Sequence, residues 1–136
     1  MAVTMYIVVE GDDPGYNTFV NGRAIARYES ALERMALNLG VKPLLEFFSA
    51  DENSMQLLLE EGAGNADLLD RLPPPQWYRA EDGLSSVIAL RGALEEDMHQ
   101  LGSEGPAVLD ELLEYEIVLQ KTADRGLRWH LAVSWR

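Results

Sequence analysis

Three carboxylates stand close together in the segment that follows the first predicted strand: Glu10, Asp12 and Asp13. Carboxylate oxygens are ligands that Mg²⁺ and Ca²⁺ prefer, so this segment is a weak candidate for a metal site. Its spacing does not match an EF-hand loop, and it lacks the Gly-Lys-Ser/Thr sequence of a phosphate-binding loop. Acids next to Pro14 and Gly15 are also typical of turns, and we expect a turn here rather than a bound metal.

Tyr6 and His130 form the second candidate group. Tyr6 lies in the first predicted strand and His130 in the last, on the face opposite to Trp129 and Trp135. If the two terminal strands pair, the Tyr and His side chains could meet, and such a pair could transfer protons in catalysis. Cross-strand packing on an open or dimer-covered face explains the same residues without any chemistry. They are therefore weak catalytic candidates.

The other enzyme signatures are incomplete. Glu96 and His99 have the Glu-x-x-His spacing that occurs twice in the di-iron sites of helical bundles, but only one copy is present, and a solvated helix end explains it as well. The sequence has no Gly-x-Ser-x-Gly elbow and no cysteine, which excludes disulfides, thiolate metal sites and cysteine nucleophiles. We expect no cofactor, and a non-enzymatic role is favoured over an enzymatic one.

Arg91 and Glu116 interrupt the apolar stripes of two predicted helices. Arg91 lies three residues after Ile88, and Glu116 lies four residues after Leu112, so each occupies the apolar side of its helix. A charge that is removed from water needs a partner. We predict that Arg91 and Glu116 form a structural ion pair. The alternative is that one or both side chains reach solvent at the edge of the stripe.

The elements that would position these residues can be read from the hydrophobic pattern. Strands are predicted at both ends of the chain, because residues 3–9 are rich in β-branched and aromatic types and residues 128–135 alternate with a period of two. Apolar residues at three- and four-residue spacing predict helices between them. These helices are expected over residues 25–39, 80–100 and 106–125, and a capping box at Ser49 predicts another over 49–61.

Helices between two terminal strands predict an α+β fold. About four main helices would pack on a small sheet formed by the N- and C-terminal strands, with the tryptophan face of the last strand directed inward. Residues 44–48, which follow Pro43, are expected to form either a short helix or a third short strand of the sheet. The length of 136 residues fits a single domain, 1–136, and no repeat or linker divides the chain.

The composition restricts the partners of the protein. Its net charge is −12, which should repel nucleic acid and anionic membranes. No apolar segment reaches the roughly 20 residues that span a bilayer. The first apolar run ends at Glu10 without the pattern of a signal peptide. We therefore expect a cytoplasmic protein that binds neither nucleic acid nor membranes.

The acidic residues are unevenly distributed. Residues 43–70 and 92–120 contain acids but no Lys or Arg. In residues 121–136, by contrast, the charged side chains are mainly basic. An acidic helical surface would attract a basic protein partner, so a small binding or regulatory protein is the leading hypothesis. Surface acid also serves solubility alone. The alternative is a small enzyme or ligand-binding domain with a site near residues 10–22 and the terminal sheet. A homodimer formed through the sheet edges is compatible with both.

Overall fold

The terminal strands and the helices between them define the architecture. The computed structural model describes residues 4–11, 15–18, 20–49 and 76–134. Its strands and α-helices are β1 (Thr4–Val9), α1 (Arg23–Arg27), α2 (Glu29–Leu39), β2 (Tyr78–Arg79), α3 (Ala80–Glu96), α4 (Gly105–Asp124) and β3 (Arg128–Ser134). Two 3₁₀ helices, Leu44–Phe47 and Met98–Glu104, lie in the same ranges. Residues 50–61 of the helix predicted from the capping box, Trp135, and the carboxylates of Asp12 and Asp13 lie outside the described residues.

The two terminal strands are neighbours in a three-stranded antiparallel sheet of order β1-β3-β2. In the register of β1 and β3, Tyr6 pairs with Ala132 and Val8 pairs with His130. β2 pairs with the beginning of β3, on the side of β3 that faces away from β1. The prediction of an α+β fold, with helices packed on a small sheet formed by the N- and C-terminal strands, is confirmed.

One face of this sheet packs on the helices. Met5, Ile7, Trp129 and Leu131 are all buried on it, as the period of two along each strand predicts. The indole of Trp129 reaches the start of α3, where its Nε1 donates to the carbonyl oxygen of Arg79 at 3.2 Å. Burying side chains of this size contributes about 1.5–3 kcal/mol each, so this layer contributes substantially to the packing of the sheet on the helices.

Of the two structures expected for residues 44–48, the short helix forms, and the third strand of the sheet lies elsewhere. Residues 44–47 form a 3₁₀ helix instead of a strand, because the N–H of Glu46 donates to the carbonyl oxygen of Pro43 at 3.1 Å and the N–H of Phe48 donates to that of Leu45 at the same distance. These local bonds occupy groups that a strand would use for pairing. Within this segment Phe48 alone makes a bridge to β3. The strand that joins the sheet is β2.

The first predicted helix is divided in two. Tyr28, with φ −106° and ψ 21°, separates α1 from α2, so a single helix over residues 25–39 was wrong. The helical hydrogen bonds nevertheless continue across the division, since the N–H of Tyr28 donates to Ala24 at 3.1 Å and that of Leu32 donates to Tyr28 at 2.9 Å. α2 is followed by Gly40 in the left-handed conformation, with φ 76°, which is a common end for an α-helix.

α3 ends at Glu96, earlier than the predicted residue 100. Asp97 leaves the helical conformation, with φ −149° and ψ 86°, and its carboxylate accepts a hydrogen bond from the backbone N–H of His99 at 3.2 Å. This local bond competes with continuation of the α-helix. α4 then begins at Gly105, with Pro106 in its first turn. None of the helices in the described ranges combines the length and apolar character of a membrane-spanning helix.

Candidate functional site

The two catalytic candidates, Tyr6 and His130, lie on one face of neighbouring strands but not opposite each other. Tyr6 faces Ala132 and His130 faces Val8, so the pair is diagonal. His130 is only 1% exposed within a single chain, and its ring centroid lies 4.8 Å from that of Trp77. The sequence suggested an open or dimer-covered face here. This face is instead covered at His130, and the histidine is packed as a core side chain.

Glu10, the one metal candidate that the structure describes, is held by an arginine. The Nε of Arg128 donates to both carboxylate oxygens, at 3.3 and 3.2 Å, and its Nη2 also binds Oε2. These hydrogen bonds lower the pKa of Glu10 below its ordinary value. The pair joins the ends of β1 and β3, since the N–H of Glu10 also donates to the carbonyl oxygen of Arg128 at 2.9 Å. The Glu10–Arg128 pair therefore holds the end of β1 to the start of β3.

Glu96 and His99 are not held on one helical face. α3 ends at Glu96, Asp97 is not helical, and the side chains of Glu96 and His99 are both exposed. Within the described parts of the chain, no three His, Asp or Glu side chains are close enough together to hold a metal ion. The helical spacing that suggested half of a metal-binding motif is therefore lost at the helix end.

Arg91 and Glu116 are brought together by the packing of α3 on α4. The Nε of Arg91 donates to Oε1 of Glu116 at 2.8 Å, and its Nη1 donates to Oε1 of Glu95 at 2.8 Å. The Arg91 and Glu116 side chains are 24% and 25% exposed, so both lie at the edge of the helix interface. One guanidinium thus binds a carboxylate on its own helix and one on the neighbouring helix.

Glu111 has a structural role that the sequence did not reveal. Its two carboxylate oxygens accept hydrogen bonds from the backbone N–H groups of Ala24 and Ile25, at 3.1 and 2.9 Å. These are the second and third residues of α1, which follows Gly22, a residue without a side chain that could cap them. Burial raises the pKa of Glu111, and the two hydrogen bonds only partly offset that increase. A carboxylate from α4 therefore caps α1.

Tyr115, which also lies on α4, joins this helix to β1. Its hydroxyl donates to the carbonyl oxygen of Met5 at 2.6 Å, and the N–H of Met5 donates to that of Gly22 at 3.3 Å. A Cβ at position 22 would lie 2.6 Å from the Tyr115 hydroxyl and would overlap the Met5 carbonyl, so only glycine fits. Burial raises the pKa of Tyr115 far above its ordinary value, so the phenol stays protonated.

Tyr16, in the described part of the segment between β1 and α1, contacts the end of α4. The Tyr16 hydroxyl donates to Oγ1 of Thr122, which itself donates to the carbonyl oxygen of Val118 at 2.7 Å. The guanidinium of Arg125 lies 4.6 Å from the centre of the Tyr16 ring, in a cation–π contact. Residues 15–18 were part of the segment in which the sequence suggested a ligand site. The contacts of Tyr16 are those of structural packing.

The eight acids of residues 92–120 divide into two groups. Five of them contact the protein itself, through Arg91, Arg27, the first turn of α1 or the N–H of His99: Glu95, Asp97, Glu104, Glu111 and Glu116. The other three are exposed and form no ion pair with the described residues: Glu96, Asp110 and Glu114. More than half of these acids therefore have a contact within the chain, although Glu95 and Asp97 among them are also exposed.

Exposed acids and an exposed apolar side chain adjoin at the end of α3. We call Glu95, Glu96, Asp97 and Met98 the junction segment, because they connect α3 to the 3₁₀ helix that leads into α4. All four are exposed. Three consecutive carboxylates beside a flexible apolar side chain can attract a cation at long range and then pack against its carbon atoms.

No protein-family model, curated protein or solved structure matches the chain.

Proposed function

We propose that the chain is a non-enzymatic binding protein that engages a basic protein partner through the junction segment. The observation that supports this most directly is the run of three exposed acids followed by exposed Met98. Within the described residues, the only cation that touches the run is Arg91, which binds Glu95. Glu96 and Asp97 keep their charges available to a second molecule.

Long-range electrostatics favours such a partner. The chain carries a net charge of −12, so a basic protein is attracted from a distance and an acidic one is repelled. Complementary charge mainly raises the association rate and selects the partner, whereas affinity requires contact with apolar groups as well. Met98 supplies an adaptable apolar contact at the end of the acidic run. A cytoplasmic location is part of the proposal, supported by the cysteine-free sequence.

An enzyme with its site near residues 10–22 and the terminal sheet has less support. Glu10 is bound by Arg128, and His130 is buried against Trp77. Neither side chain is presented to a substrate in this arrangement. Binding through an exposed acidic segment requires no rearrangement of the fold.

The test compares two variants that lose the same charge at different places. Glu96→Gln with Asp97→Asn neutralises the junction segment, and the amide oxygen introduced at position 97 can still accept the hydrogen bond from His99. Glu33→Gln with Glu46→Gln is the control, since both side chains are exposed and lie on other elements. Each protein is immobilised and exposed to lysate of the cells that make it, at low and at raised salt. Retained proteins are identified by mass spectrometry.

A basic protein that is retained by the wild type and by the control, released by salt and lost from the junction variant would support the proposal. Equal loss from both variants would mean that net charge alone causes retention, and would contradict a defined site. If the wild type retains no specific protein, the proposal is wrong.

A further inference from the structure

The solvent side of α4 carries an ordered row of side chains. Residues at positions 110, 114, 117, 121 and 125 recur at three- and four-residue steps, so they lie along one side of the helix and its C-terminal cap. We call this set the outer row: Asp110, Glu114, Ile117, Lys121 and Arg125, all of which are exposed. Apart from Arg125, whose guanidinium packs on the Tyr16 ring, its members contribute little to the packing of the chain itself.

The outer row carries acids at one end and bases at the other. Its first two members are acids, its last two are bases, and Ile117 lies at the centre with 55% of its surface exposed. Asp110, Glu114 and Lys121 form no ion pair with the described residues, whereas the Arg125 guanidinium lies over the Tyr16 ring. If a two-fold axis relates two such rows, the acids of each row face the bases of the other.

We propose that the outer row is an interface through which two copies of the chain associate, with their α4 helices antiparallel. Glu114 would face Lys121 of the second copy, and Asp110 would face its Arg125. Both pairs are centred between positions 117 and 118, which places the two Ile117 side chains beside the axis. Two-fold dimers are the commonest homo-oligomers, and their interfaces must be self-complementary in this way.

The helix dipole explains only part of this arrangement. It favours bases in the last turn and at the C-terminal cap, where Lys121 and Arg125 lie, but it does not favour the acid Glu114 in the middle of the helix. It also gives no reason for an exposed isoleucine. Asp124, which lies beside the basic end, accepts a hydrogen bond from Gln120 at 3.0 Å and reduces the positive charge there. A dimer accounts for both the central apolar residue and the charges on either side of it.

The dimer should be weak and should depend on concentration. One helix row is smaller than a standard stable interface, which buries about 1,200–2,000 Å² in total. Two chains of net charge −12 also repel each other over distances beyond the contact. Association is therefore expected to be visible at high protein concentration and absent in dilute solution. It uses a surface different from the junction segment and does not depend on the proposed partner.

Sedimentation of the purified full chain over a series of concentrations tests the interface. We expect the wild type to dimerise and Ile117→Asp to remain monomeric. Glu114→Lys and Lys121→Glu should each abolish the dimer, because like charges would face each other across the axis. The two changes combined restore opposite charges and should restore the dimer. Ile88→Asp is the matched control, since Ile88 is exposed on α3.

A cysteine test locates the axis independently. The chain has no cysteine of its own, so Ile117→Cys and Ile88→Cys each create a single thiol. Under mild oxidation Ile117→Cys should form a covalent dimer much faster than Ile88→Cys, because a disulfide needs two Cα atoms within about 7 Å. Circular dichroism checks that each variant is folded. A wild type that stays monomeric throughout, a charge swap that restores nothing, or equal rates of cross-linking would overturn the proposal.

Discussion

Gly83 and Trp129 touch at a point where any side chain larger than hydrogen would overlap the indole. A Cβ at position 83 would lie 2.6 Å from Cε2 and 2.8 Å from Nε1 of Trp129. Glycine in a helix interior costs about 0.5–1 kcal/mol relative to alanine. The structure accepts that cost in α3 because the buried indole lies directly against the helix backbone.

Gly83→Ala should therefore destabilise the protein, although alanine is the better helix former. The added methyl group must displace the indole or the helix, and such overpacking costs about 1–3 kcal/mol. Gly92→Ala is the control in the same helix, since a Cβ there meets no heavy atom within 4 Å. It should raise the free energy of unfolding by about 0.5–1 kcal/mol. Urea denaturation of both variants measures the difference, and an increase in stability for both would exclude the close contact.

The Arg91–Glu116 pair should show a measurable coupling energy. Arg91→Leu and Glu116→Leu, made singly and together, form a double-mutant cycle across the α3–α4 interface. Since both side chains are mostly shielded from solvent, we expect a coupling of about 1 kcal/mol, at the upper end for exposed pairs. Denaturation of the four proteins gives this value.

The neighbouring Glu95 provides the comparison for that cycle. It binds the same guanidinium but is about half exposed, so the Arg91–Glu95 cycle should give a smaller coupling. Stability effects that simply add in the Arg91–Glu116 cycle would show that the contact contributes nothing to folding.

The fold could be predicted as far as it depends on local pattern. β3 alternates with a period of two, and the apolar residues of α3 and α4 recur at helical spacing, so these elements and the pairing of the two terminal strands followed from the sequence. β2 did not, because two residues carry no period. The division at Tyr28 and the early end of α3 at Asp97 are also invisible to periodicity, since each depends on one residue.

The contacts between distant elements were harder to predict. Stripe positions placed Arg91 near Glu116, because a charge on an apolar face needs a partner. Nothing similar marked Glu111, which stands among other acids and binds Ile25, 86 positions away. One signal was present: Gly22 cannot cap the helix that follows it, so α1 required an acceptor from elsewhere.

Removing the Glu111 side chain should destabilise the protein by about 1–2 kcal/mol, because Glu111→Ala leaves two N–H groups of α1 without acceptors. Glu114→Ala on the same helix is the control, since Glu114 is exposed and forms no ion pair with the described residues. Its effect should stay within about 0.5 kcal/mol. Denaturation at dilute concentration measures both. Equal effects would mean that Glu111 does not act as a cap.

The raised pKa of Glu111 predicts an unusual dependence of stability on pH. Burial raises this pKa above the ordinary value of 4.5, so between the two values the native state holds more protons than the unfolded state. The Glu111 contribution is therefore largest below the unfolded pKa and is lost as pH rises through the folded pKa. Glu111→Gln cannot titrate. The stability of the wild type relative to this variant should increase as pH falls from neutral to about 4.

Glu10→Gln is the control of opposite sign. Hydrogen bonds from Arg128 lower the pKa of Glu10, so its contribution should decrease as pH falls below 4.5. Urea denaturation of the three proteins across this range checks both signs, and parallel curves for the wild type and Glu111→Gln would refute the raised pKa.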